Sequence, residues 1–229
     1  MRPCACTTRH APKRIVLTGG PGAGKTAVLE LVRQEFCAHV QILPEAAGIV
    51  FGGGFPRLES PEWRRSAQRA IFFIQRELES TAEAGNAAIV LCDRGTVDGA
   101  AYWPGPDTFW KSVGTTQEHE MRRYDAVIHL RTPTLGGGYN NSNPLRIESA
   151  SMAAEIDDQL LRIWDAHPHR FVVQSSHDFL QKAARVVEIL RGEMPDCCKE
   201  SQGVFPRRWE LIPSVAQFSG SLSSKVQQF

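Results

Sequence analysis

Residues 14–26 read Arg14-Ile15-Val16-Leu17-Thr18-Gly19-Gly20-Pro21-Gly22-Ala23-Gly24-Lys25-Thr26, and this stretch decides the fold. A short apolar run ending in glycines suits a buried parallel strand. Residues 19–26 then match G-x-x-x-x-G-K-[ST]. They lead into Val28, Leu29, Leu31, Val32 and Phe36, which share one broad face of a helix over 25–36. Strand, glycine loop and helix in that order make a phosphate cradle, the P-loop. Glycines let successive backbone N–H groups curl around an anion where a Cβ would clash. The helix N-terminus adds partial positive charge. Gly19, Gly20, Pro21, Gly22, Ala23, Gly24, Lys25 and Thr26 are therefore the expected nucleotide-binding residues. Lys25 is placed to bridge the β- and γ-phosphates, and the Thr26 hydroxyl to ligate magnesium.

Outward from the loop, strand and helix alternate. Val40 to Glu45 reads as a second strand, and Gly52 to Pro56 as a loop. Ser60 as N-cap and Pro61 at the first helical position start a helix running to about Glu83. Its inner face is expected at Trp63, Ala67, Ile71, Ile74 and Leu78. A third strand, 87–92, ends on Asp93; short helices follow around Trp103 and Phe109; 125–130 is a fourth strand. A polar, glycine-rich loop occupies 132–148. A helix over 151–166 turns Ile156, Leu160, Ile163 and Trp164 inward, 171–173 is a fifth strand, and a last helix covers 178–191. The alternation predicts an α/β fold, a P-loop NTPase with a five-stranded, parallel, doubly wound sheet. One domain is expected over 13–192, after an N-terminal tail at 1–12. The C-terminal extension at 193–229 is expected to be loosely ordered, since residues 214–229 hold five Ser and three Gln without periodicity.

Composition narrows the function classes. The net charge of +1 offers no global field for nucleic acid, so no nucleic-acid partner is expected. No apolar run is long enough to cross a bilayer, and the polar start lacks the apolar core of a secretion signal. Six cysteines form no C-x-x-C pair, and Cys37 and Cys92 lie in apolar runs as buried thiols do. A reducing, cytoplasmic compartment is the expectation. His167-Pro168-His169 has no evident third ligand, so no metal site is expected there.

The second motif is Ile89-Val90-Leu91-Cys92-Asp93-Arg94-Gly95. An apolar strand ending in Asp is placed to hold magnesium, with Thr26 and Asp93 as the two metal-site residues. Hydrolytic Walker ATPases commonly carry Glu after that Asp; here it is Arg94. The Asp93-Arg94 pair resembles the Asp/Glu-Arg pair of nucleoside and deoxynucleoside kinases, a likeness that implies a grip on substrate or phosphoryl charge. A structural Asp–Arg ion pair is the other reading. Glu45 ends the second strand, where nucleoside-kinase-like folds carry a carboxylate facing the substrate hydroxyl; that likeness makes it a candidate general base, a helix-capping or surface carboxylate being the other reading. Asp98 suits a substrate hydroxyl or a helix cap, while Tyr102 and Trp103 suit a flat ring or the core. Over 132–148, Gly136-Gly137-Gly138 supplies hinge freedom for a lid, from which Arg131 and Arg146 reach a γ-phosphate on closure. Arg146 pairing with Glu148 is the other reading. Candidate catalytic residues are thus Lys25, Glu45, Asp93, Arg94 and Arg146.

The chain resembles the NadR/TRPL-translocation-defect family of AAA-type P-loop proteins over roughly residues 13 to 192. The matching stretches are Leu17–Thr26, Pro44-Glu45-Ala46-Ala47, Cys92-Asp93-Arg94-Gly95 with Asp98 and Tyr102, and Asn143-Pro144-Leu145-Arg146-Ile147-Glu148. The resemblance implies a nucleoside-kinase-like fold with an ATP or GTP site. That family holds both a nucleoside kinase and a nucleotide-dependent regulator. Two functions therefore stand side by side. One is a kinase moving the γ-phosphoryl of ATP or GTP, with Mg²⁺, onto a small hydroxyl-bearing acceptor. The other is a nucleotide-binding switch without such an acceptor. No N-K-x-D guanine-reading motif occurs, which argues against a conventional G domain.

Overall fold

The structure is a computed structural model, and it describes residues 4–106, 109–133, 150–175 and 178–200. In chain order the elements are β1 (Lys13–Thr18), α1 (Lys25–Glu35), β2 (Val40–Leu43), α2 (Ala46–Gly52), α3 (Pro61–Glu83) and β3 (Ile89–Asp93). A 3₁₀ turn at Thr96–Asp98 then leads to α4 (Gly99–Tyr102), α5 (Phe109–Val113), α6 (Gln117–Met121) and β4 (Ala126–Leu130). The chain continues through α7 (Ala150–Ile163), β5 (Arg170–Val173), α8 (Phe179–Glu193) and α9 (Asp196–Glu200).

The five strands are all parallel, in the order β2-β3-β1-β4-β5. Central β1 alternates its side chains between two apolar layers, as the two-residue period of a strand requires. Ile15 and Leu17 pack with Val28 and Val32 of α1 and Val187 of α8. Val16 packs with Val90, Val127 and Trp164 on the other face. Both faces are covered, which is why the central strands are almost wholly apolar. The sheet is doubly wound, and every strand points its C-terminal end at one edge, where such folds place their ligands.

Helix α3 runs over the expected span, but its inward line differs. Trp63 is 43% exposed, while Ala67, Phe72, Gln75, Glu79 and Ala82 are buried. Glu79 accepts hydrogen bonds from Gln75 Nε2 (2.8 Å), Arg123 (2.6 Å) and Tyr124 Oη (2.9 Å). That helix face meets a buried polar network, which hydrophobic periodicity does not register. β2 stops at Leu43 and α2 begins at Ala46, so Glu45 sits at a strand-to-helix corner rather than inside a strand. Among the described residues no helix is long and apolar enough to cross a membrane.

Candidate functional site

Strand register assembles the site. Leu17 lies beside Asp93 and Leu43 beside Cys92. Two residues beyond the second pair, Glu45 and Arg94 stand level with each other, and the loop after β1 opens alongside them.

The glycine loop is held mainly by protein. Gly19 has φ +138°, and a Cβ there would come within 2.1 Å of the Leu130 carbonyl oxygen. At Gly20 a Cβ would lie 2.5 Å from Thr132 Oγ1 and 2.8 Å from Asp157 Cβ. Both glycines are thus demanded by the end of β4 and by α7, before any phosphate arrives. The Gly20 amide donates to Asp157 Oδ1 (2.9 Å) and the Ala23 amide to the Gly20 carbonyl (3.2 Å). The amides of the first turn of α1, which begins at Lys25 after Gly24, are the part of the loop suited to an anion.

Lys25 opens α1 and is 9% exposed. Its Nζ donates to the carbonyls of Gly19 (2.8 Å) and Gly20 (3.2 Å), folding the ammonium back over the loop. Burial, helped by the Arg94 charge, lowers its pKa to about 8 against the pull of Asp93, Glu45 and Asp98. Thr26, next along, is exposed. Asp93 ends β3, and among the described residues its buried Oδ1 has no hydrogen-bond partner. Burial lifts its carboxyl to about 6, opposed by Lys25 and reinforced by Glu45. A buried carboxylate oxygen without a donor and an exposed threonine hydroxyl are hard oxygen donors of the kind that suit a divalent cation such as magnesium.

Glu45 accepts from Arg94 Nε at 2.6 Å. It is the N-cap residue of α2, yet its side chain makes no capping bond. Burial pushes its pKa up, but Arg94 and Lys25 prevail and hold it below the usual carboxylate value. Arg94 is the non-glycine residue with positive φ (73°) among those described, a conformation costly for a bulky side chain. The twist turns the guanidinium toward Glu45, with Asp98 Oδ2 3.5 Å from one terminal nitrogen and the Tyr102 ring 5.3 Å away.

Other candidate residues have protein partners. Asp98 is buried and accepts from Thr18 Oγ1 (2.7 Å) and Trp164 Nε1 (2.6 Å), so its oxygens tie the end of β1 to the residue that follows α7. Tyr102 lies against Arg94, and Trp103 packs on Phe109 with ring centres 5.4 Å apart. Arg131 forms ion pairs with Asp157 (3.2 Å) and Asp158 (2.7 Å). Arg146 and the loop from 134 to 148, with its three glycines, lie outside the described residues.

Asp157 and Lys182 escaped sequence reasoning. Asp157 is 1% exposed and accepts from Gly20 N, Thr132 N (3.0 Å) and His129 Nε2 (2.8 Å). Burial raises its pKa, but these donors outweigh it and keep the carboxylate below its ordinary value. Lys182 Nζ donates to the carbonyls of Ala23 (2.8 Å) and Arg131 (2.6 Å). Each had a faint signal: an ionisable residue on an apolar face, Asp157 between Ala153 and Leu160, Lys182 before Ala183 and Val186.

The model of a family described as an AAA domain matches residues 14–182. A search of curated protein sequences finds no match. Among solved structures, a thymidylate kinase from Candida albicans aligns with TM-score 0.57 and 13% identity, over 81% of this chain and 93% of that one. A NadR protein in complex with NR aligns with TM-score 0.62 and 15% identity, over 87% of this chain but only 54% of that one. A deoxyadenosine kinase from M. mycoides with bound dATP aligns with TM-score 0.52 and 14% identity, over 78% and 98%. At such identities the likeness is one of fold, and the fold is that of P-loop nucleoside and nucleotide kinases.

Proposed function

This chain belongs to the AAA-domain family whose model spans residues 14–182, and from that premise we propose that it is a small-molecule kinase. The reaction is transfer of the γ-phosphoryl group of ATP or GTP to a hydroxyl of a nucleoside-like acceptor. The observation that carries this reading is the Glu45–Arg94 pair, 2.6 Å apart, level with the phosphate loop and beside Lys25 and Asp93. A carboxylate and a guanidinium held together at the mouth of a phosphate site serve both partners of the transfer. Glu45 orients the acceptor hydroxyl and takes its proton; Arg94 and Lys25 balance charge on the phosphoryl oxygens. The backbone amides at the start of α1 hold the β-phosphate.

Thr26 and Asp93 would hold Mg²⁺, which would supply positive charge to offset that of the phosphates. Phosphate binding also releases Lys25 from the Gly19 and Gly20 carbonyls, since its ammonium then has a better partner than two neutral oxygens.

The test is a transfer assay with radiolabelled ATP and GTP against a panel of ribosides and deoxyribosides. A phosphorylated product from at least one acceptor is expected. Intact Mg-nucleotide binding with no product across the panel would leave the switch reading in its place.

A further inference from the structure

At the edge of the sheet opposite the phosphate loop, three segments remote in sequence bring soft ligands together. His10 precedes β1, His39 precedes β2, and Cys198 sits in α9. Two four-residue sets meet there, Cys6/His10/His39/Cys198 and Cys4/Cys37/His39/Cys198, with all ligand atoms of each set within 4.8 Å of one another. Both draw on His39 and Cys198, so they describe one centre with alternative partners.

Three sulfur-to-nitrogen edges of the first set have the dimensions expected of a metal tetrahedron, and its other edges are under 4.8 Å. Cys6 Sγ lies 3.4 Å from His10 Nε2, His10 Nε2 3.6 Å from Cys198 Sγ, and Cys198 Sγ 3.5 Å from His39 Nδ1. Zinc bonds of about 2.3 Å to sulfur and about 2.0 Å to nitrogen, at the tetrahedral angle, separate S from N by about 3.5 Å. In the second set, Cys37 Sγ stands 3.9 Å from His39 Nδ1. The two imidazoles meet edge to face with centroids 5.0 Å apart, so their nitrogens converge without stacking.

The backbone carrying these ligands is anchored. The His39 carbonyl accepts from the amides of Ala88 (2.8 Å) and Ile89 (3.0 Å), and the His10 amide donates to Asn86 Oδ1 (3.1 Å). Cys198 is fully buried.

We propose that this chain binds one structural Zn²⁺ through Cys6, His10, His39 and Cys198. A closed S₂N₂ set leaves no open position for substrate, and tetrahedral coordination of that composition selects zinc. The ion staples the segment before β1 and the helix after α8 to the start of β2. Its contribution is to folding, since a preformed site does not exist in the unfolded chain. The spacing hides this from the sequence: the ligands are spread over nearly the whole domain and no two follow the usual C-x-x-C pattern.

The experiment uses the full chain, untagged, grown with zinc and purified under reducing conditions without chelator. Mass spectrometry of total metal is expected to find about one zinc per chain, and the cobalt-substituted protein is expected to show two thiolate ligands. Cys198→Ser and His39→Gln should each lose the metal, while Cys92→Ala, altered inside the sheet, should keep it. Stripping zinc from the wild type with a chelator should lower Tm, and adding zinc back should restore it, which tests the site even if a variant fails to fold. Three thiolates would overturn the assignment of Cys6 and His10 in favour of Cys4 and Cys37. Wild-type protein with six titratable thiols and no metal would overturn the site, as would zinc retained in both ligand variants.

Discussion

If Lys25 meets the nucleotide phosphates as proposed, pH becomes a probe of the site. Its ammonium is buried, and with a pKa of about 8 in the free protein it is about nine-tenths protonated at pH 7 and about one-tenth at pH 9. A bound triphosphate favours the charged form, so binding above pH 8 takes up a proton. Mg-nucleotide affinity should therefore fall about tenfold between pH 7 and pH 9, about 1.4 kcal/mol, and continue falling at about tenfold per pH unit. The alkaline side is the decisive one, because the terminal phosphate, with a second pKa of about 6, is already almost fully ionised above pH 7.

Stability runs the other way. Lys25 has a folded pKa below its unfolded value of 10.5, so the unfolded state binds more protons between about pH 8 and 10.5. The Lys25 contribution to stability rises with pH across that window. Isothermal titration calorimetry at pH 7 to 9.5, in two buffers of different ionisation enthalpy, reads affinity and proton uptake together. Lys182 titrates in the same range, so Lys25→Arg is the control: its permanent charge should flatten the alkaline limb whatever its absolute affinity. A wild-type Kd constant from pH 7 to 9.5, with no proton uptake at pH 9, would falsify the placement of Lys25 at the phosphates.

Three further outcomes are expected. Asp93→Asn should abolish the gain in nucleotide affinity that Mg²⁺ confers while changing Mg-free affinity by less than about threefold, and it should raise Tm at pH 7, because the cost of ionising a carboxyl held at about 6 disappears; equal losses with and without Mg²⁺ would make Asp93 merely structural. Glu45→Gln should cut transfer to an acceptor by about 10² to 10⁴-fold with little change in nucleotide affinity, and initial rates within a few-fold of wild type would remove it as the base. Asp157→Ala strands the Gly20 and Thr132 amides and the His129 ring; a loss of about 3–5 kcal/mol in denaturant unfolding is expected, and a loss below about 1 kcal/mol would show that the loop does not depend on it.

Most of the architecture was legible because it rests on local rules. The strand at 14–18, the glycine loop and the helix after it follow from residue type and spacing. Ser60 and Pro61 mark the start of α3, and the alternation of apolar runs with amphipathic helices fixes a parallel sheet. Hydrophobic periodicity fails where an inward face is polar, as at Gln75 and Glu79 of α3, since a buried hydrogen-bonded network leaves no apolar signature.

The candidate site divides along the same line. Lys25, Asp93 and Glu45 were visible as residues because each closes a strand or opens a helix beside a recognisable motif. Only the tertiary structure decided that Glu45 is bound to Arg94, that Asp98 is consumed between Thr18 and Trp164, and that Asp157 and Lys182 brace the phosphate loop from α7 and α8. The Cys–His centre is the extreme case, joining residues 6 and 198. A local pattern encodes what neighbouring residues impose on one another through the backbone. Which charge a side chain meets, and which thiol an imidazole faces, is set by strand order and register, and these bring together residues with no proximity along the chain.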